Sequence, residues 1–584
     1  MKKIIAILII LSIFALTACG SSEQEPTFCD LNPNDVICTD DTPTVDCAVT
    51  PDHEDCTVEL DCSVTPNHED CKQETDCDMM PSHPDCRVET DCEATPLHPD
   101  CLRIVDCSIT PDDPVCEEVK DVIESCEVSG VTSCRYTLTE ALPDGNYHEY
   151  ATYQTMGDAQ TIMYESENQN LVVLDPNEVV VTMKYGLVNF KTKPVTETTL
   201  LAQVGYSKPT YLNGVYNVDG LFLETDGIFT TGYIAGVKFE VLTSEVELIP
   251  SSQINNGYSY YMVKNNEITH TISQGIKTGS LYNMGAFDIA PDYLIPNIKY
   301  YSYDQHYFYT DIYTMIDDLR LDVRTNAVNS ELPYYNYYQY LSFRSKTNYS
   351  KEELNSYINS KVGPTSGMYN TGEDFINAQE NVFINAAMEM AFGIHESGWG
   401  NSAIAQDKNN LFGINAVDGD AYNAATSFDS VEDCIIYHVS YFLGARYFNP
   451  TYAVSFGTNF GNKQQGMNYK YASDAYWGEK IARHYYNLDK ALGFKDYNNY
   501  KIGFLDKDTI GYYGPSTDSR VIYDSSLYNY YGLEIPFVIM DETDIFYVLQ
   551  LPVGVNNDYE LDFNEVLQIQ DVFYVLKDDV RIIN

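Results

Sequence analysis

Fifteen of the sixteen cysteines in this 584-residue chain lie before residue 135. Most fall in one repeat: "DCAVTPDHEDC", "DCSVTPNHEDC", "DCDMMPSHPDC", "DCEATPLHPDC" and "DCSITPDDPVC". The first cysteines of these units, Cys47, Cys62, Cys77, Cys92 and Cys107, recur every 15 residues. Each has a second cysteine nine residues on: Cys56, Cys71, Cys86, Cys101 and Cys116. Cys29 and Cys38 form a divergent unit with Pro33 in the matching place, and Cys126 and Cys134 close the ladder. Units this small and this poor in apolar residues cannot bury a core, so cross-links must supply the order that burial supplies elsewhere. Setting Cys19 and the isolated Cys434 apart leaves fourteen cysteines, which read as seven sequential pairs, each closing a short loop around a Pro turn. Outside the cell such pairs oxidise.

A competing reading of the ladder is metal ligation, since His53, His68, His83 and His98 recur within it. A zinc site needs thiolates, and an oxidised cysteine offers none, so the disulfide reading is preferred and neither metal nor cofactor is expected. Between residues 20 and 134 there are four Lys or Arg against thirty Asp and Glu, which is half of the net charge of -52. Like-charge repulsion predicts an extended, acidic stalk over residues 19–134. Binding to nucleic acid is excluded as a general activity, because a polyanion repels a polyanion.

The N-terminus reads "MKKIIAILIILSIFALTACGSS". Lys2 and Lys3 precede an apolar run over residues 4–16, shorter than the ~20 residues of a membrane-spanning helix. That run has the length of a signal-peptide core. Leu16-Thr17-Ala18-Cys19 resembles the bacterial lipobox. The resemblance implies that residues 1–18 are removed and that Cys19 is acylated, holding the protein on the extracellular face of the bacterial membrane through its lipid. Plain secretion with cleavage after Ala18 is the alternative.

About 450 residues beyond the stalk predict three or so globular domains. Residues 135–300 read as β structure: "NEVVVTMKYGLVNF" and "GVKFEVLTSEVELIP" are rich in Val, Phe and Thr, with turn residues between. A Tyr-rich connecting segment follows at 301–349, where tyrosines on strand faces read as packing ahead of sugar stacking. "YLNGVYNVDGLFLET" and residues 300–349 resemble segments upstream of the catalytic domain in Firmicute wall hydrolases. Residues 500–584 are again β, and Gly514-Pro515-Ser516-Thr517 with Tyr574-Val575 resemble a bacterial SH3-like module. That resemblance implies wall-binding or positioning modules flanking a catalytic domain.

Between 350 and 495 the pattern turns helical. "NVFINAAMEMAFGIHE" has Phe383, Ala387, Met390, Ala391 and Ile394 near helical spacing. "SVEDCIIYHVSYFLGARYF" places Ile435, His438, Val439 and Phe442 along one face, so His438 and Cys434 read as core residues. Glu396 ends the first of these helices, before Ser397-Gly398, and Trp399 follows at once. The other tryptophan, Trp477, lies in "NYKYASDAYWGEKIA". A Glu at a helix end is ordinarily a surface residue. Beside an indole and an apolar wall its charged form is disfavoured and its pKa rises. Such a carboxyl stays protonated near neutral pH and can hand a proton to a glycosidic oxygen.

"HESGWGNSAIAQDKNNLFGINAVD" resembles the signature of the family 73 endo-β-N-acetylglucosaminidases, peptidoglycan hydrolases of the mannosyl-glycoprotein endo-glucosaminidase superfamily. The match runs through Glu396, Ser397, Gly398, Trp399, Gly400, Ser402, Ile404 and Ala405, then Asn409, Asn410, Leu411, Phe412, Gly413 and Ile414. "SGMYNTGEDFINAQ" upstream and "GNKQQGMNYKYASDAYWGEKIA" downstream resemble further blocks of the same enzymes. The resemblance implies a multidomain protein with a lysozyme-like α+β catalytic domain at 350–495, flanked by all-β SH3-like domains. It makes Glu396 the general acid. It places Trp399 at the pocket floor, with Asn410, Phe412, Tyr471, Tyr476 and Trp477 around the sugar, packing being the competing role for each. Many such enzymes carry a second carboxylate on a hairpin after the first. Here "NAVDGDAYNAATSFDSVEDC" is short, and its nearest carboxylates are Asp418 and Asp420, with Asp429 beyond. Asp418 is favoured as the water-activating base of an inverting mechanism. The substrate's own N-acetyl group is the alternative nucleophile.

The leading reading is a surface hydrolase cutting the β-1,4 bond between N-acetylglucosamine and N-acetylmuramic acid in peptidoglycan strands. A muramidase or lytic transglycosylase would also use a single Glu in such a cleft. A wall-binding adhesin with a vestigial site is the reading from another class, and the intact motif around Glu396 argues against it.

Overall fold

The computed structural model describes residues 123–130, 132–194, 197–216, 219–417, 419–505, 508–556, 560–562 and 571–584. The lipobox, Cys19 and the ladder from Cys29 to Cys116 lie outside the described residues, as does Asp418. Cys126 and Cys134, the last pair of the ladder, are joined by a disulfide. The described residues from Glu124 to Asn584 belong to one compact unit.

Four antiparallel sheets of four or more strands, a two-stranded ribbon (Gly554–Val555 with Leu561–Asp562) and a set of helices make up its described residues. The first sheet pairs Tyr136–Ala141, Tyr147–Tyr153, Leu171–Leu174 and Val180–Met183. A helix, α1 (Met156–Glu165), crosses between its second and third strands, an element the β reading of 135–300 does not contain. Its start is set by Thr155, whose side chain accepts from the Asp158 amide. Seven strands between Gly186 and Pro250 form the second sheet, and four between Tyr260 and Tyr300 the third. Alternation decides what each strand buries: Val237–Leu242 points Val237, Phe239 and Val241 inward and leaves Lys238, Glu240 and Leu242 outside. The connecting segment carries α2 (Ile312–Arg320), capped by Asp311. Its tyrosines Tyr337, Tyr338 and Tyr340 are buried packing residues. The fourth sheet has seven strands drawn from residues 501–582.

Residues 350–495 supply α3 (Lys351–Asn359), α4 (Gly372–Val382), α5 (Ala386–Ser397), α6 (Ala403–Lys408), α7 (Val431–Tyr437) and α8 (Trp477–Leu492). No strand occurs among the described residues of this segment, which corrects the α+β expectation: the strands belong to the adjoining sheets. The apolar run from 381 to 396 is not one helix. Phe383 takes a left-handed conformation, φ 49°, and ends α4. Asn385 then restarts the chain, its side-chain oxygen accepting from the amides of Ala387 and Met388 at 3.0 Å. Apart from His395, α5 is buried on every side, and its Ala, Gly and Met residues let neighbouring elements approach closely. After α7 the winding widens to a π-helix over His438–Tyr447.

The sheets are fused to the helical segment rather than strung beside it. The core around α5 and α8 includes Ile502, Val538 and Val553 from the C-terminal sheet region. Tyr476 belongs to a second core with Phe190, Phe222 and Phe239. Buried polar links cross the same boundaries. Thr210 donates to the Tyr469 carbonyl at 2.7 Å, and Arg344 donates through Nε to the Pro552 carbonyl at 2.7 Å. His270 Nδ1 lies 3.0 Å from a carboxylate oxygen of Glu479.

Candidate active site

The last turn of α5 and the first turn of α8 build the site. Gly398 caps α5 in the left-handed region, its amide donating to the Ile394 carbonyl. The next two residues are left-handed as well: φ is 58° at Gly398, 65° at Trp399 and 69° at Gly400. Trp399 is strained there, at a cost of about 1–3 kcal/mol, and its surroundings hold it. Its amide donates to Ile394 O at 2.9 Å, and its carbonyl accepts from Ser366 Oγ at 2.7 Å. A Cβ at position 400 would lie 2.5 Å from Ser366 Oγ and 2.6 Å from Met368 N, so only glycine fits. The run "ESGWG" is thus a turn that delivers Glu396 and Trp399 from one helix end.

Glu396 is 5% exposed. Its Oε1 accepts a hydrogen bond from Trp477 Nε1 at 2.9 Å. Burial drives its pKa up to about 8, and the indole hydrogen bond opposes that rise. Of the two tryptophans of the chain, only Trp477 hydrogen-bonds this carboxyl among the described residues. Trp477 is core: it is 1% exposed, with Tyr471 stacked on it at 4.5 Å and Phe392 edge-on at 5.2 Å. Trp399 turns away and packs against His484 at 5.7 Å and Tyr357 at 6.2 Å.

Four of the residues placed around the sugar have packing roles here. Asn410 donates to the carbonyls of Ile414 and Thr426 at 3.0 and 2.9 Å and accepts from the Ile414 amide, pinning the loop after α6. Phe412 is buried and stacked on His438 at 3.8 Å. Tyr471 is buried against Trp477. Tyr476 faces His270 in the core shared with the second sheet. The physical reason is common to all four: each ring or amide is already enclosed by protein and has its partners there. Cys434 and His438 are both fully buried, as the helical pattern predicts. Asp420 and Asp429 are exposed, and Asp420 accepts from Asn423 at 2.6 Å.

Residues not singled out in the sequence lie close by. Asp474, in "YASDAYW", has a side chain 15% exposed and ion-paired with Lys480. Burial opposes its ionisation, but the Lys480 ammonium and the Tyr476 amide together hold its pKa below the usual value. His395 is pushed down to about 4, first by burial and then by Lys480, and so is neutral at neutral pH. No spacing in the sequence singles out Asp474 or His395; Lys480, the partner of Asp474, falls with Arg483, His484 and Asn487 at i, i+3/i+4 spacing on α8. The segment thus carries a buried carboxyl whose pKa is raised, Glu396, and another, Asp474, whose pKa is held down by Lys480.

Residues 372–490 match the family described as "Mannosyl-glycoprotein endo-beta-N-acetylglucosaminidase". Two Streptococcus pneumoniae proteins, each named "Putative endo-beta-N-acetylglucosaminidase", are 35% identical over 230 residues, which is 37% of this chain. The chain spans about a third of those relatives, 33% and 31% of their lengths. Among solved structures, S. aureus autolysin E in complex with the disaccharide NAG-NAM is 23% identical over 26% of this chain and 73% of its own, with a TM-score of 0.21. A structure titled Major Bifunctional Autolysin is 20% identical over 27% of this chain and 68% of its own, with the same TM-score of 0.21. Overlaps this small carry no argument about fold or chemistry. The family match does span Glu396 and the helix that carries it: residues 372–490 of this chain match the endo-β-N-acetylglucosaminidase family.

Proposed function

We propose that the protein is a glycoside hydrolase that cuts the β-1,4 bond between N-acetylglucosamine and N-acetylmuramic acid in peptidoglycan, with Glu396 as general acid. One observation carries the reading: Glu396 is buried against a neutral hydrogen-bond donor, and its pKa is pushed up to about 8. A carboxyl in that state holds its proton at neutral pH and has somewhere to deliver it. As the leaving sugar departs, its oxygen takes the Glu396 proton. The carboxylate left behind keeps the Trp477 N–H. The base that activates water is assigned to Asp418, with Asp474 as its rival because Lys480 keeps Asp474 ionised.

On this reading the protein works at the outer face of the cell, held to the membrane by lipid on Cys19. The disulfide stalk sets the enzyme off from the membrane, and the flanking β regions, read as SH3-like modules, position it on the wall.

Glu396→Gln keeps the shape of the side chain and removes the proton. Lysis of purified wall in a zymogram should fall ~10²–10⁴-fold. A GlcNAc glycoside with a good leaving group needs little protonation and should lose much less. Mass analysis of the wild-type digest should show reducing GlcNAc ends. Reducing MurNAc ends identify a muramidase and 1,6-anhydro ends a lytic transglycosylase. Lysis within a few-fold of wild type in Glu396→Gln removes Glu396 from the acid role and favours the adhesin.

A further inference from the structure

Beside the site, α8 and the segment that carries Trp399 enclose a pocket of about 540 Å³. Its walls are the rings of Tyr357, Trp399 and His484, and its cations are Lys361, Arg483 and Lys490. Lys490 is neutralised by Glu267 at 2.6 Å. Arg483 is not. Its Nε is shielded from solvent and has no hydrogen-bond partner. No carboxylate or carbonyl accepts from its guanidinium among the described residues, whereas Arg324 pairs with Asp304, Arg581 with Glu534, and Arg344 has the carbonyls of Pro552, Val382 and Phe383. The Arg483 guanidinium lies where a side chain at Gly285 would be: a Cβ there would come within 3.1 Å of it. Lys361 likewise has no ion-pair partner among the described residues and sits over the Tyr357 ring at 5.6 Å.

A half-buried guanidinium without an acceptor is costly, and a bound anion removes the cost. The net charge of the chain is -52, so an acidic ligand is repelled in general and needs a local concentration of cations to be held. His484 follows Trp477, the hydrogen-bond partner of Glu396, by two turns of α8, ~10 Å along that helix. The glycan backbone is neutral. The negative groups of peptidoglycan are carboxylates on the peptide that branches from the muramyl sugar. A planar guanidinium fork matches a carboxylate in two parallel hydrogen bonds, and the aromatic walls suit the short apolar side chains beside it.

We infer that this pocket holds a carboxylate of the stem peptide, with Arg483 as its principal ligand and Lys361 as a second cation, so that the enzyme favours strands that still carry peptide. The inference rests on the glucosaminidase reading. Its test uses the full chain on two substrates, intact peptidoglycan and the same strands stripped of peptide by an amidase and then amidated at the lactyl carboxylates that the amidase frees. The measured quantity is the ratio of kcat/KM on the two. A charge-assisted contact of this kind is worth about tenfold or more. Arg483→Gln should therefore lower the ratio about tenfold, through KM, and Arg483→Lys should recover part of it. The ratio is internal to each preparation, so partial unfolding moves both rates and leaves it unchanged. An unchanged ratio in Arg483→Gln overturns the inference. So does a ratio that follows removal of phosphate polymers from the wall rather than removal of peptide. If the wild type cuts neither substrate, it is the glucosaminidase reading that fails.

Discussion

Glu389 and Glu396 stand seven residues apart on α5, the first fully buried and the second 5% exposed. Two helical turns put them on one face of the same helix, and their partners differ. Glu389 meets His438 Nδ1 at 2.6 Å, a partner that can carry the opposite charge. Phe412 and Phe442 close over that imidazole, stacked at 3.8 and 5.5 Å. Glu396 meets an indole N–H, which can donate but cannot neutralise. Burial alone does not make a catalytic carboxyl. The partner decides whether the group is locked into a pair or kept as an acid with a proton to give.

The most severe way to break the comparison is at its locked end. Glu389→Leu strands His438 in a sealed core, and losing one member of a buried pair costs about 3–5 kcal/mol. A thermal melt should show a large fall in Tm, while whatever activity remains keeps its pH profile. A small fall would mean that the pair does not hold the core.

Glu396 should behave in the opposite sense. Its folded pKa, about 8, lies above the ordinary 4.5. The folded state then binds the proton more tightly than the unfolded one. Stability from the protonated carboxyl is complete below pH 4.5 and is lost as pH rises through about 8. Urea unfolding of wild type from pH 5 to 9 should show this decline, and Glu396→Gln, which has no proton to lose, should flatten it. Parallel curves for the two proteins would remove the raised pKa from the argument.

The smallest effect is expected at the partner of Glu396. The indole hydrogen bond lowers the Glu396 pKa. Trp477→Phe removes the donor and keeps an aromatic core residue, at a cost of about 1 kcal/mol for the hydrogen bond. The rate should fall as pH rises through about 8 in wild type, and this limb should move to higher pH in Trp477→Phe. A limb that moves down contradicts the assignment of the indole as a donor to the ionised form.

The burial and raised pKa of Glu396 were legible in the sequence because its environment is local. Glu396, the Gly398 cap and Trp399 lie within four residues, and the apolar turns before them come directly upstream. Trp477, eighty-one residues away, was legible only as the second tryptophan. Its hydrogen bond depends on how α8 docks against α5, and no periodicity encodes that. The packing partners of Asn410 and Phe412 were hidden for a related reason. A motif shared with an enzyme family contains both the residues that touch substrate and those that shape the loop, and spacing does not separate them. The break at Phe383 was hidden by an apolar pattern that continues across it, since alternation of burial persists when the backbone does not. Arg483 was invisible as a site because its lack of an acceptor is a property of three segments together: α8, the Tyr357 region and Gly285.

The shared cores have a consequence for how this protein can be taken apart. Arg344, just upstream of the helical segment, is fully enclosed and hydrogen-bonded to the Pro552 carbonyl, and burial pushes its pKa down to about 9. Lys463, within the segment, is fully buried too, donating to the Asn468 carbonyl at 2.9 Å while its amide donates to the Ala235 carbonyl at 3.1 Å. A fragment cut at 350 and 495 would shed Arg344 together with the apolar surface of Ile502, Val538 and Val553, and would leave the Lys463 ammonium facing a missing wall. The glucosaminidase segment is therefore not a cassette that can be transplanted or released by a protease. Its sheets are its floor, and helices and sheets have to be inherited as one piece.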